Sequence, residues 1–96
     1  MTIIKLKSIP YGQAQVITHN DGSITLISYT THVVDIDKEG WLTVHGLYSM
    51  TTRKHISAFA KEYTPLDYQS LKKCYENGLS INIYTGEVVD TKSLNK

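Results

Sequence analysis

Four histidines are the residues of this sequence best suited to bind a metal ion, but their spacing does not predict a site. They are separated by 13, 13 and 10 residues along the chain: His19, His32, His45 and His55. A compact zinc motif brings two ligands within about two to five residues of each other. Three of the four fall near the ends of predicted strands and one in the first turn of a predicted helix. We therefore expect histidines with ordinary hydrogen bonds, no metal ion and no other cofactor.

Nucleophilic catalysis has little support in the sequence. Cys74 is the only cysteine, and it lies between Leu71 and Tyr75 on the apolar stripe of a predicted helix. Burial there makes a cysteine a small hydrophobic residue with a raised thiol pKa. The sequence has no glycine-rich phosphate loop, no Gly-x-Ser-x-Gly and no His-Glu-x-x-His motif. We predict a protein that is not an enzyme and has no catalytic residues.

Three acidic residues are candidates for binding a partner. Asp35 and Asp37 are two residues apart on a predicted strand, so both point to the same side, about 7 Å apart. With Glu39 they form a predicted acidic edge. A cation site or an acid/base pair is one interpretation. Simple alternation is the other, with Val34 and Ile36 facing the core and the acids facing solvent.

A second candidate surface lies where the first predicted helix begins. The segment from Leu47 to His55 combines hydroxyl groups with basic side chains. The positive end of a helix, with its free N–H groups, suits a phosphate or a carboxylate. Arg53 and Lys54 oppose the helix dipole there, and such a local conflict is typical of a functional site. We predict Tyr48, Arg53 and Lys54 as binding residues; the alternative is a helix cap with a solvated first turn.

The pattern of apolar residues predicts the elements that position these side chains. Alternation up to His45 favours five short strands, with turns at Ile9–Gly12 and 20–22. Apolar residues three and four apart then predict two helices, the second starting at Thr64 and Pro65. Strict alternation in Leu79–Tyr84 predicts a late strand. The fold class is therefore α+β, a mostly antiparallel sheet of five to seven short strands with two helices packed on one face.

Length and composition predict one ordinary globular domain. The 96 residues are 41% hydrophobic and 20% charged, which suits a single domain over residues 1–90 followed by a polar tail at 91–96. There is no apolar run long enough to cross a membrane and no secretion signal. One unpaired cysteine suits a reducing compartment, so we expect a cytoplasmic protein. The oligomeric state is left open between a monomer and a homodimer, because self-association would add stability to a protein with so small a core.

Charge is nearly balanced overall and unevenly placed. The net charge is +1 and the pI about 7.9, below the value of about 9 that is typical of a nucleic-acid-binding domain. Residues 20–40 carry a net charge of −3 and residues 51–75 a net charge of +3. Two oppositely charged faces follow if these segments lie apart.

Two short stretches resemble a known group of proteins. One is the motif Tyr48-Ser49-x-Thr51-Thr52-x-x-His55-Ile56-x-x-Phe59, and the other, earlier in the chain, is Ser28-Tyr29-Thr30-Thr31. Over roughly residues 11–63 the chain resembles small, largely uncharacterised bacteriophage and mobile-element proteins of Gram-positive bacteria. The resemblance supplies no catalytic residues. It implies a phage gene product that acts in the cytoplasm of a bacterial host.

These observations favour a binding protein. The leading hypothesis is a non-catalytic phage-type accessory protein that binds, and inhibits, a host protein such as a bacterial defence nuclease, in the manner of an anti-CRISPR protein. The acidic edge would then present DNA-like charge to a basic groove. The alternative is a small nucleic-acid-binding regulator whose basic residues contact phosphates: Arg53, Lys54, Lys61, Lys72 and Lys73. A structural part of the virion is also open.

Overall fold

Alternating residues build a seven-stranded antiparallel sheet in the computed structural model, which describes residues 1–7 and 13–94. The predicted turn at Ile9–Gly12 lies outside these residues. The strands pair in the order in which they occur along the chain, each antiparallel to the next. They are β1 (Thr2–Lys5), β2 (Ala14–Thr18), β3 (Ile24–Ser28), β4 (Thr31–Ile36), β5 (Trp41–Val44), β6 (Leu79–Asn82) and β7 (Val88–Asp90).

Two helices follow β5, and side-chain caps fix where each begins. Helix α1 spans Met50–Tyr63, and the Ser49 hydroxyl accepts a hydrogen bond from the Thr52 N–H at 3.2 Å. Helix α2 spans Tyr68–Glu76 and is capped by the Asp67 carboxylate. It begins later than predicted: the Thr64 hydroxyl donates to the Ala60 carbonyl at 2.6 Å and accepts from the Leu66 N–H at 3.0 Å in the connection, while Asp67 accepts from the Ser70 N–H at 2.9 Å.

The helices cover one face of the sheet and form the core with it. Val34 lies between Leu26 on β3 and Val44 on β5, and the three side chains are buried with the apolar residues of α1 and α2. The buried helix residues of this core include Ile56, Phe59 and Leu71. The predicted α+β fold, with its mostly antiparallel sheet and two helices on one face, is confirmed.

An irregularity in β4 changes which residues of that strand share a face. Leu26 opposes Val34, but its neighbour Ile27 opposes His32, so Val33 is an extra residue in β4. Val33 and Val34 are both fully buried although they are consecutive. A regular strand would place His32 and Asp35, three residues apart, on opposite faces. The extra residue places both on the face away from the helices.

The end of the described chain is tied to the sheet. Residues 91–94, which the sequence assigns to a polar tail, form a short 3-10 helix. The Thr91 N–H donates to the Gly78 carbonyl at 3.0 Å, and the Thr91 and Ser80 hydroxyls are hydrogen-bonded at 3.0 Å. In the described part of the chain, neither helix has the length and apolar content that crossing a bilayer requires.

Candidate functional site

A buried polar network joins the two stretches that carry the resemblance. Ser28, at the end of β3, is hydrogen-bonded through its Oγ to His55 Nδ1 at 2.8 Å and to Thr52 Oγ1 at 3.1 Å. Thr52 and His55 lie in the first two turns of α1. All three side chains are buried. The Ser-Tyr-x-Thr stretch and the Tyr-Ser-x-Thr-Thr-x-x-His motif therefore meet inside the protein.

This network has the residue types of a nucleophile and a base, but its burial gives it a structural role. His55 is 2% exposed and Ser28 is 1% exposed, so a substrate cannot reach either group. Burial lowers the pKa of His55 and favours the neutral ring. The neutral ring can share one hydrogen bond with the Ser28 hydroxyl without a buried charge. The contact fastens the end of β3 to α1.

Tyr29 extends this network to the surface. It follows Ser28, has a positive φ of 59°, and is 52% exposed. Its ring lies against the ring of His55, with centroids 5.9 Å apart. The Tyr29 N–H donates to the Gln13 carbonyl at 2.7 Å. The buried histidine and the backbone of Gln13 thus hold an exposed aromatic ring in place.

Tyr48 has the same unusual backbone conformation as Tyr29. It lies one residue before the cap of α1, its φ is 37°, and its side chain is 63% exposed. Its ring covers Gly46 so closely that a Cβ atom at Gly46 would lie 2.5 Å from the ring. A left-handed conformation costs a non-glycine residue about 1–2 kcal/mol. Two such exposed tyrosines flank the start of α1.

Further exposed side chains lie in the first turns of α1, next to Tyr48 in the chain. Met50 is 72% exposed, and Arg53 and Lys54 are exposed in the first turns of α1. We call Tyr29, Tyr48, Met50 and Arg53 the tyrosine surface. The structure thus brings the predicted residues Tyr48, Arg53 and Lys54 to one place, at the start of α1. Tyr29 is not among the predicted binding residues, because its position beside α1 depends on the contact between Ser28 and His55.

The predicted acidic residues lie towards the end of β4 that is remote from Tyr29, and most of them accept hydrogen bonds. Asp37 Oδ1 accepts hydrogen bonds from the N–H groups of Glu39 and Trp41, each at 2.9 Å, and so shapes the turn between β4 and β5. Glu39 is exposed in that turn. Asp35 is half-buried and is occupied by two histidines. The three acids therefore do not form a row of free carboxylates.

Of the two histidines around Asp35, one lies on β4 and the other directly follows the adjacent strand β5. His32 Nε2 lies 2.6 Å from Asp35 Oδ1, and His45 Nε2 lies 2.7 Å from Asp35 Oδ2. The imidazole rings themselves meet edge to face, with centroids 5.2 Å apart. The His45 N–H continues the β5 ladder by donating to the Val33 carbonyl at 2.8 Å. Sequence spacing missed this cluster because it depends on the extra residue in β4 and on the pairing of β4 with β5.

A threonine behind the carboxylate completes the cluster. Thr25 Oγ1 donates to Asp35 Oδ1 at 2.8 Å and is hydrogen-bonded to His19 Nε2 at 2.9 Å. Burial acts to raise the pKa of Asp35, but the hydrogen bonds from His32, His45 and Thr25 together hold it below its usual value. Asp35 is therefore an ionised carboxylate at neutral pH, fixed in orientation by three neighbours.

Cys74 lies where the sequence predicts, on the apolar stripe of α2. It is buried, and burial raises the pKa of its thiol. A protonated thiol in the core is a weak nucleophile. Its position supports the interpretation of Cys74 as a core residue.

Comparison with known proteins places the chain in a family. No curated protein and no solved structure matches it. One protein-family model matches residues 2–77, which span β1 to α2 and contain both the network around His55 and the cluster around Asp35. The chain therefore belongs to DUF8033, which is described as a family of unknown function.

Proposed function

We propose that this protein is a non-catalytic, phage-type accessory protein that binds a host protein through the tyrosine surface. The carrying observation is that two exposed tyrosines, Tyr29 and Tyr48, are both held in the left-handed backbone conformation beside the start of α1. Strained residues persist where the surrounding structure holds them, and they are often found at binding sites. The Ser28–His55 contact holds one tyrosine and Gly46 accommodates the other.

The residue types favour a protein partner over a nucleic acid. Tyrosine, methionine and arginine are enriched at protein–protein interfaces, while lysine is depleted. Tyr29, Tyr48, Met50 and Arg53 match that composition, whereas the neighbouring exposed Lys54 does not. Rigid aromatic anchors and arginine also supply most binding hot spots. The overall charge of +1 gives no bulk attraction to nucleic acid.

The biological setting comes from the resemblance to phage and mobile-element proteins. In that setting we propose that the protein acts by occupying a host protein. A bacterial defence nuclease, such as a CRISPR effector, is the target we propose. Binding at the tyrosine surface would block access of nucleic acid to the effector. This binding would take place in the host cytoplasm.

The test is a comparison of variants in capture and in nuclease inhibition. The tagged full-length protein is incubated with lysate of a bacterium that carries a defence nuclease, and the captured protein is identified and purified. Tyr48→Ala and Arg53→Ala should each weaken binding by at least about tenfold, since interface hot spots cost more than about 1.4 kcal/mol. The same variants should lose inhibition of DNA cleavage by that nuclease.

Tyr75→Ala is the matched control, because Tyr75 is also exposed but lies on α2. It should bind and inhibit as the unmodified protein does. The proposal is wrong if Tyr75→Ala and Tyr48→Ala lose binding equally. It is also wrong if the captured protein is not a nuclease and DNA cleavage is unaffected by the unmodified protein.

Nucleic-acid binding is the second candidate, and one observation favours it. Arg53 and Lys54 are exposed, and within residues 1–7 and 13–94 neither forms an ion pair with an acidic side chain. Free cations at a helix start can contact phosphates. This candidate predicts a mobility shift with DNA or RNA that weakens steeply as salt rises and that Arg53→Ala reduces. The absence of any mobility shift at low salt would exclude nucleic-acid binding.

A further inference from the structure

We propose that His32, Asp35 and His45 form a binding site for a divalent transition-metal ion, with zinc as the favoured ion. Each residue offers one ligand atom, and these three atoms lie within 4.8 Å of one another. The side chains are accessible, with exposed fractions of 54%, 36% and 43% respectively. The spacing of the histidines in the sequence predicts no metal ion, so this inference depends wholly on the tertiary arrangement.

The distances suit an ion that takes the place of the two histidine–carboxylate hydrogen bonds. Zinc binds nitrogen and oxygen ligands at about 2.0–2.2 Å in a tetrahedron, so neighbouring ligand atoms lie about 3.3 Å apart. In the structure the two Nε2 atoms lie 2.6 Å and 2.7 Å from the Asp35 oxygens. Small rotations of the exposed imidazoles open these contacts to the distance that an ion requires.

Asp35 is already held as a ligand carboxylate should be. Thr25 Oγ1 donates to Asp35 Oδ1 at 2.8 Å, and the Thr25 side chain is buried. Hydrogen bonds of this kind orient ligands and commonly change metal affinity by about 10–100-fold. The Thr25 hydroxyl is itself hydrogen-bonded to His19, which lies next to the ligand set without belonging to it.

The ligand set selects the class of ion. Two imidazole nitrogens and one carboxylate favour zinc and its neighbours over magnesium and calcium, which prefer oxygen ligands. Three protein ligands leave at least one position of a tetrahedron open. Asp35 and His45 also line a pocket of about 420 Å³ beside Trp41 and Thr43, which leaves room for water or a small anion at that position.

Titration of the full-length protein with Zn²⁺ tests the proposal directly. Isothermal titration calorimetry should show one site per chain, with Mg²⁺ giving no heat of binding. His45→Gln, His32→Gln and Asp35→Asn should each weaken Zn²⁺ binding by about 100-fold or more, because each removes a ligand. Circular dichroism of each variant confirms that it is folded. Co²⁺ should report the same site through visible absorption bands that are weakened or lost in His45→Gln.

His19→Gln is the matched control, since it removes a histidine of the same neighbourhood that offers no ligand. It should weaken Zn²⁺ binding far less than the three ligand variants do, since it acts on Asp35 only through Thr25. Zinc binding that survives His32→Gln and His45→Gln would overturn the proposal, as would the absence of zinc binding by the unmodified protein. A loss confined to His19→Gln would also overturn it. This outcome is independent of whether the tyrosine surface binds a host protein.

Discussion

His55 and Ser28 are 27 residues apart in the chain, yet their side chains are hydrogen-bonded at 2.8 Å inside the protein. The bond joins the end of β3 to α1; the exposed Tyr29 directly follows Ser28, and the exposed Tyr48 comes directly before the cap of α1. A buried polar contact of this kind fixes one arrangement of two elements, because a half-satisfied network is costly. The geometry of the tyrosine surface therefore depends on Ser28.

Removing the Ser28 hydroxyl should destabilise the protein. Ser28→Ala leaves His55 Nδ1 and the Thr52 hydroxyl without this buried partner, which costs about 1–3 kcal/mol in free energy of unfolding. Urea unfolding measures the change. Ser57→Ala is the control, since Ser57 is partly exposed on α1 and its hydroxyl makes no described hydrogen bond. Equal stability of the two variants would show that the network adds nothing.

Stability should fall on mild acidification because of His55. Burial lowers the pKa of the folded His55 below its ordinary value of 6.5. The unfolded chain then binds a proton near pH 6.5 while the folded protein does not, so the unfolded state gains by up to about 1.4 kcal/mol per pH unit below 6.5. The neutral His55 ring contributes its full stabilisation above pH 6.5. This stabilisation stops decreasing at the lower pH where the ring of the folded protein is itself protonated.

Urea midpoints between pH 7.5 and 5 measure this effect. In His55→Gln the decrease over that range should be clearly smaller. The carboxylates with lowered pKa, such as Asp35, contribute to stability changes only at lower pH, near and below their ordinary value of 3.8. An unchanged pH dependence in His55→Gln would mean that another group is responsible.

A methyl group at Gly46 should displace the ring of Tyr48. The Cβ of Gly46→Ala would lie 2.5 Å from that ring, and the exposed ring can move away with a change in stability of no more than about 1 kcal/mol. Partner binding should fall as it does in Tyr48→Ala. In the Tyr48→Ala background, Gly46→Ala should have no further effect on affinity, and this double-mutant cycle is measured by calorimetry. Additive losses would show that Gly46 acts independently of Tyr48.

Most of the fold can be predicted from local patterns in the sequence. The alternation in β3 to β5, the stripe of Ile56 and Phe59, and the stop at Gly78 predict the strands and helices because each depends on neighbours in the chain. The start of α2 was predicted too early because Thr64 and Asp67 are both good caps. In the structure the Thr64 hydroxyl bonds to Ala60 and Leu66 in the connection, and the Asp67 carboxylate caps the helix.

The sites depend on contacts that local patterns do not contain. Tyr48, Arg53 and Lys54 could be singled out because a basic first turn is unusual for a helix. The contact between Ser28 and His55 needs β3 and α1 to be packed together. His32 and Asp35 share a face only because β4 contains an extra residue. A strict two-residue alternation would place them on opposite faces of the sheet.

Photo-crosslinking from the tyrosine surface tests the central claim most directly. A photoreactive phenylalanine analogue replaces Tyr48 in one variant and Tyr75 in another, and each is irradiated in host lysate. We expect a crosslink to one host protein from position 48 and none from position 75, with the yield lost when Arg53→Ala is added. Equal crosslinking from both positions, or crosslinking from position 48 to nucleic acid alone, would contradict the account.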